Sequence, residues 1–121
     1  MDLSKAYQGS FGTLYYVKDM SKSVQYYKDI FNLKPKCESP EWSEFDFNGH
    51  SLCLHAAAKD MKIDGKGILI VKVKNLREVV GTLKSRGVEF VHDVHEVCEN
   101  GFSADFKDLS GNLLSLFEYI G

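Results

Sequence analysis

Cysteine is scarce in this 121-residue chain: Cys37, Cys53 and Cys98 are an odd number, and no two form a CxxC pair. A disulfide framework is therefore not expected to organise the fold, and the cytoplasm is the expected compartment. Long apolar runs are missing too. None approaches membrane-spanning length, and Met1-Asp2-Leu3-Ser4-Lys5 lacks the apolar core of a signal peptide, so no membrane partner is expected. Nor does one charge dominate. The 15 Lys and Arg against 17 Asp and Glu leave a net charge of -2 with the signs mixed. Nucleic acid, which needs a clustered basic face, is not an expected partner. Low-complexity tracts are absent. What remains is ordinary globular composition, 44% hydrophobic and 26% charged, sufficient to bury the core of one domain over residues 1–121.

What the chain does have is an internal echo. The run Phe106-Lys107-Asp108-Leu109-Ser110-Gly111-Asn112-Leu113-Leu114-Ser115-Leu116-Phe117-Glu118 has the shape of Glu44-Phe45-Asp46-Phe47-Asn48-Gly49-His50-Ser51-Leu52-Cys53-Leu54-His55. Each is an alternating strand, a tight turn containing Gly, and a second alternating strand. Upstream, Val17-Lys18-Asp19-Met20 is matched by Val73-Lys74-Asn75-Leu76, each opening a helical pattern. Two copies of a strand-helix-strand-strand-strand unit follow, one over about residues 10–57 and one over about 67–119. Superposing the copies pairs Gly12 with Ile68 and Cys53 with Ser115.

The first copy reads as a strand over 11–17, then a helix capped by Asp19 with Met20, Val24, Tyr27 and Phe31 as its buried stripe. Asn32 suits the left-handed residue that ends it. Strand signals follow over 34–38, 42–47 and 51–56, with Pro40 and Asn48-Gly49 as punctuation. Residues 57–66 read as the linker. In the second copy, a strand over 67–73 precedes a helix with Asn75 as cap and Glu78 completing a capping box. Leu76, Val80 and Leu83 form its stripe and Gly87 ends it. Strands near 88–92, 102–107 and 112–118 complete the unit. The class is α+β, with helices covering one face of a mixed sheet.

Tyr16-Val17-Lys18-Asp19-Met20 leading to Tyr26-Tyr27, the Gly111-Asn112 turn after Asp108, and the strands flanking each carry a resemblance to the vicinal oxygen chelate superfamily. That group includes glyoxalase I, extradiol dioxygenases, fosfomycin-modifying enzymes and bleomycin-resistance proteins. The resemblance covers nearly the whole chain. It implies that the two βαβββ units curl into one cupped eight-stranded sheet, helices outside, with the site in the cup. It also implies a divalent metal held by His and Glu at the positions of Gly12, Cys53, Ile68 and Ser115. Gly and Ile have no donor, Ser is a poor ligand for a borderline metal, and one thiolate cannot hold a catalytic ion. No metal and no other cofactor is therefore expected.

Strand alternation then assigns faces. Gly12, Leu14, Tyr16, Cys53, His55, Ile68, Ile70, Lys72, Leu113, Ser115 and Phe117 share the cup parity, joined by Trp42, Glu44, Asp46, Asp105 and Lys107. The opposite parity, from Tyr15 and Val17 to Leu114 and Leu116, is apolar, as a helix-covered core should be. The expected ligand-binding set is Tyr16, Trp42, Glu44, His55, Ile68, Lys72, Asp105, Ser115 and Phe117, suited to a small organic molecule with an apolar body and a few polar groups. A solvated face or a dimer interface would show the same alternation. His55, with Glu44 or Asp46 orienting it, is the candidate general base, against a polar side chain satisfied by its neighbours. Cys53 reads as a half-buried thiol and Lys72 as an anion-binding or ion-paired cation. His92 and His95 look like a metal pair, but a spacing of three is expected to put them on opposite faces of a strand. The resulting expectation is a metal-free, homodimeric, small-molecule-binding protein of the bleomycin-resistance type. The alternative is a glyoxalase-like lyase, isomerase or dioxygenase using His55 with an acidic neighbour, or a metal at other positions.

Overall fold

Asp19 adopts an extended backbone, and its side chain accepts the Lys22 N–H at 3.1 Å, which starts helix α1 (Met20–Phe31). Asn32, left-handed at φ 53°, ends it. Before α1 lies β1 (Gly12–Val17), and after it β2 (Cys37–Glu38), β3 (Trp42–Phe47) and β4 (His50–Ala56). The second copy repeats the order: β5 (Ile68–Lys72), α2 (Leu76–Ser85), β6 (Phe90–Cys98), β7 (Gly101–Lys107) and β8 (Leu113–Tyr119). This computed structural model describes residues 2, 5–6, 11–64 and 67–120. Met1, Leu3 and Ser4, residues 65–66 of the linker, and Ser10 at the expected start of the first copy lie outside the described residues.

The eight strands form two four-stranded sheets, β1-β4-β3-β2 and β5-β8-β7-β6. In each, the first pair is parallel and the others antiparallel, the mixed pattern of a βαβββ unit. Alternation sends Tyr15, Val17, Leu52, Leu54, Leu69, Phe106, Leu114 and Leu116 to the helix side, where all are buried in one cluster with Val24, Tyr27, Leu76, Val80 and Leu83. Each fully buried side chain of this size contributes about 1.5–3 kcal/mol. The α1 stripe is rotated slightly from expectation: Ile30 is buried, while Met20 and Phe31 pack only partly against the cluster.

Two expectations are corrected. Asn75 does not cap α2 with its side chain, because its own backbone is left-handed at φ 57° rather than extended. Glu118, from β8, takes over: its two carboxylate oxygens accept the N–H groups of Asn75 at 2.8 Å and Leu76 at 2.9 Å. Nor do His92 and His95 lie on opposite faces. His92 pairs with Asp105 and His95 with Ser103, so three steps on β6 match two on β7, which is a β-bulge. The bulge returns both imidazoles to the face shared by Asp105 and Ser103.

The copies are joined at the turn between β7 and β8. Asp108, 7% exposed, accepts the Ser110 and Asn112 N–H groups on Oδ1, and the Tyr27 hydroxyl and the Asn112 side-chain amide on Oδ2. Asn112 also donates to the Tyr16 carbonyl, and Ser110 Oγ accepts the Lys18 N–H. Tyr15 adds a second tie, donating to the Leu113 carbonyl and accepting the Leu69 N–H. Burial raises the Tyr15 and Tyr26 phenols from 10 to about 12, the Asp108 charge adding to the effect, and Tyr27 is raised further for the same reasons.

Asp108→Ala is expected to cost about 3 kcal/mol or more, since several buried donors lose their acceptor together, whereas Glu118→Ala should cost about 1 kcal/mol as a lost helix cap. Urea denaturation measures both. The three phenols favour their neutral form in the fold, so their contribution is fully present below pH 10 and is lost as pH rises toward 12. The phenolate absorbance of these three, out of the chain's six tyrosines, should therefore appear only as alkaline unfolding proceeds, as a late step in the titration.

Candidate functional site

The helix-free face of the first sheet collects polar and aromatic side chains in two cross-strand rows. One row is Tyr16, His55 and Trp42, and the next is Leu14, Cys53, Glu44 and Cys37. The His55 ring lies 5.2 Å from Tyr16 and 5.9 Å from Trp42, edge-on to the indole. The Trp42 indole N–H donates to Glu44 Oε1 at 3.1 Å, and Lys36 Nζ is 3.9 Å from Glu44 Oε2. Burying a carboxylate to 9% exposure is tolerable because that donor and that cation are supplied. His55 Nδ1 lies 2.8 Å from the Ala56 carbonyl, which can only accept. In the neutral ring the proton therefore sits on Nδ1, and Nε2 carries the lone pair. Glu44 is held by Trp42 and Lys36, and Asp46 accepts the Gly49 N–H at 2.9 Å. The hydrogen bond that positions His55 is thus to a backbone carbonyl.

The second sheet repeats the rows with different chemistry. Ile70, Ser115, Asp105 and His92 are in register, and Lys72, Phe117, Ser103 and His95 form the next row. Superposing the copies makes Asp105 the counterpart of Glu44: each faces Ser115 or Cys53 across the ladder. Their partners differ. Among the described residues Asp105 Oδ1 is buried with no hydrogen-bond partner, whereas Glu44 accepts the Trp42 indole N–H and has Lys36 as its ion-pair partner. Ile68 and Ile70 stand 48% and 64% exposed, and Phe117 packs edge-on to Tyr119 at 4.7 Å.

The expected site residues thus divide between the sheets: Tyr16, Trp42, Glu44 and His55 on the first, and Ile68, Lys72, Asp105, Ser115 and Phe117 on the second. Sequence reasoning missed Lys36, whose contact depends on the path between α1 and β3. It also missed the wall formed by the linker. A cleft of about 300 Å³ lies against β1, lined by Leu14, Tyr16, Met61, Ile63, Asp64 and Asn112 among others. The apolar Met61 and Ile63 within an otherwise polar segment were the available signal.

The four positions at which the resemblance implies a metal do not form a donor set. A Cβ added at Gly12 would lie 1.9 Å from the Ser51 carbonyl oxygen, so no ligating side chain fits there. Ile68 has no donor atom, and Ser115 offers only a hydroxyl. The Cys53 thiol is pushed up by burial first, then by the Glu44 charge and Cys37, and stays protonated at neutral pH. Among the described residues no group of three or more His, Cys, Asp or Glu side chains is placed to hold an ion. No helix among the described residues is long and apolar enough to cross a membrane.

Residues 11–116 match the family model described as the Glyoxalase/Bleomycin resistance protein/Dioxygenase superfamily. No curated protein matches this sequence. Among solved structures, a lactoylglutathione lyase from Agrobacterium tumefaciens is similar at 16% identity and TM-score 0.77, over 93% of this chain and 94% of that one. A glyoxalase/bleomycin resistance protein/dioxygenase from Nocardioides is similar at 18% identity and TM-score 0.76, over 94% of this chain and 85% of that one. A further Agrobacterium tumefaciens protein, solved in solution, reaches 24% identity and TM-score 0.79, over 95% of this chain and all of the other. At these identities the likeness establishes the fold.

Cys53, 2% exposed and with its thiol shifted up, should be the slowest of the three cysteines to alkylate, behind the exposed Cys37 and Cys98. Iodoacetamide labelling followed by peptide mass spectrometry gives the order. Labelling of Cys53 first in the native protein would mean that its thiolate is activated.

Proposed function

The chain belongs to the glyoxalase/bleomycin resistance protein/dioxygenase superfamily, and from that premise we propose that it is a cytoplasmic small-molecule-binding protein without a metal at the family's ligand positions. The observation that carries this reading is the Trp42–His55–Tyr16 row beside the buried Glu44. Aromatic walls next to a fixed carboxylate suit a planar organic molecule bearing a hydrogen-bond donor or a positive group. The cleft against Tyr16 extends the same surface. The lyase, isomerase or dioxygenase reading finds less support. It needs either the ligand set that Gly12, Ile68 and Ser115 do not provide, or an acidic partner for His55, and Glu44 is committed to Trp42 and Lys36.

A second copy of the chain is the proposed partner. Leu14, Tyr16, Ile68 and Ile70 are 42%, 38%, 48% and 64% exposed on the helix-free faces, and a two-fold pairing would cover them. Each sheet also ends in an edge strand away from the Tyr15 tie between the copies, β2 in one and β6 in the other.

Trp42 is the single tryptophan, so its emission reports on this site alone. Titration with a panel of planar aromatic amines and acids should give at least one compound with a saturable change. Trp42→Ala should weaken that compound by about tenfold through the lost stacking surface. Tight binding with unchanged emission, and with the variant unaffected, would move the site elsewhere. Light scattering on a sizing column is expected to give the mass of two chains of 13.7 kDa. A melting temperature independent of concentration, together with a one-chain mass, would remove the dimer.

A further inference from the structure

The bulge in β6 builds something that the aromatic site does not use. Between His92 and His95 the two intervening residues both turn to the helix side. Asp93 pairs with Lys84 of α2 at 2.8 Å, and Val94 packs against the buried cluster. The imidazoles therefore stand together on the helix-free face, exposed, with ring centres 5.6 Å apart and planes 70° to one another. With metal–nitrogen bonds of about 2.1 Å, two imidazoles sharing one tetrahedral ion have ring centres about 5 Å apart. The observed separation is close to that value.

Two further observations point to a cation. His95 Nδ1 lies 2.9 Å from the Asp93 carbonyl, an acceptor only, so in the neutral ring the proton is fixed on Nδ1 and Nε2 keeps the lone pair. Anchoring one ring nitrogen on a backbone carbonyl is how proteins orient a metal-binding histidine. Across the ladder from His92 stands Asp105, whose Oδ1 is buried without a hydrogen-bond partner. Its counterpart in the first sheet, Glu44, has Lys36 as its cation. The second sheet thus has, across the ladder from the imidazole pair, a carboxylate with no ion-pair partner among the described residues.

We infer that His92 and His95 form a surface site for a borderline divalent cation such as Zn²⁺ or Cu²⁺. Asp105 adds negative charge from the neighbouring strand without ligating the ion directly, since among the described residues no group of three or more donors is placed to hold one. Two protein ligands leave coordination positions open to solvent or to a small anionic molecule. This inference is independent of the aromatic site on the other sheet.

The test uses the untagged full chain, stripped with a chelator and then titrated with Zn²⁺ alone and with Cu²⁺ alone. Equilibrium dialysis with elemental analysis should show saturable uptake of one ion per chain, and the Cu²⁺ spectrum should show hyperfine coupling to two imidazole nitrogens. His92→Ala and His95→Ala should each weaken binding by about tenfold or more, since each removes one of two nitrogen ligands. Both residues are exposed, and metal-free melting temperatures equal to that of the parent would show that the variants fold. A Cys37→Ser/Cys98→Ser variant and a His55→Ala variant should keep their uptake. No uptake by the parent chain, or uptake unchanged in the His92→Ala/His95→Ala double variant, overturns the site. Neither result bears on the Trp42 titration, so the two readings fail separately.

Discussion

The molecule depends on one buried carboxylate. Asp108 gathers four donors within its own turn and from α1, and Asn112 and Ser110 carry the connection on to the backbone of the first copy at Tyr16 and Lys18. A charge taken out of water is costly unless its lone pairs are used, and here three of the four donors are fixed by the turn itself and the fourth by α1. The geometry that satisfies the carboxylate is also the geometry that seats the end of β7 and the start of β8 against the β1–α1 junction. Tyr16, whose carbonyl accepts from Asn112, leads into the aromatic row, so the hub holds the candidate site as well as the core.

Duplication explains why the helix-free faces have matching rows and unlike chemistry. The core parity stays apolar in both copies because each must bury against a helix, and a polar substitution there would leave an unpaired group. The open faces carry no such constraint. Cys53 stands where Ser115 stands, Glu44 where Asp105 does, and Trp42 where Ser103 does. In the first sheet the carboxylate acquired an indole and a lysine, and with them an aromatic surface. In the second it acquired neither, and the strand beside it bulged to bring two histidines forward. One scaffold thus presents two surfaces of different chemistry.

The face assignments from alternation were legible because period two is a local property of the strand, and the buried set from Tyr15 to Leu116 follows it. Asp19 and Asn32 were legible for the same reason: a cap acts on amides within a few residues of itself. The α2 cap was not, because the groups that satisfy it come from Glu118, 42 and 43 residues away in sequence from the amides it accepts. The bulge was not legible either. Counting residues along β6 assumes an unbroken ladder, and only the pairing with β7 reveals the extra residue.

By itself, the sequence determined the two βαβββ copies, the apolar side of each strand and the absence of donor side chains at Gly12 and Ile68, since repetition, period and residue chemistry are written along the chain. The tertiary structure alone decided which charges meet. Lys36 reaches Glu44, Glu118 reaches the amides of α2, Asp108 reaches Tyr27, and His92 comes to stand with His95. The physical reason is distance: electrostatic and hydrogen-bond energies fall away within a few ångströms, and separations of that size between distant residues are set by register and packing.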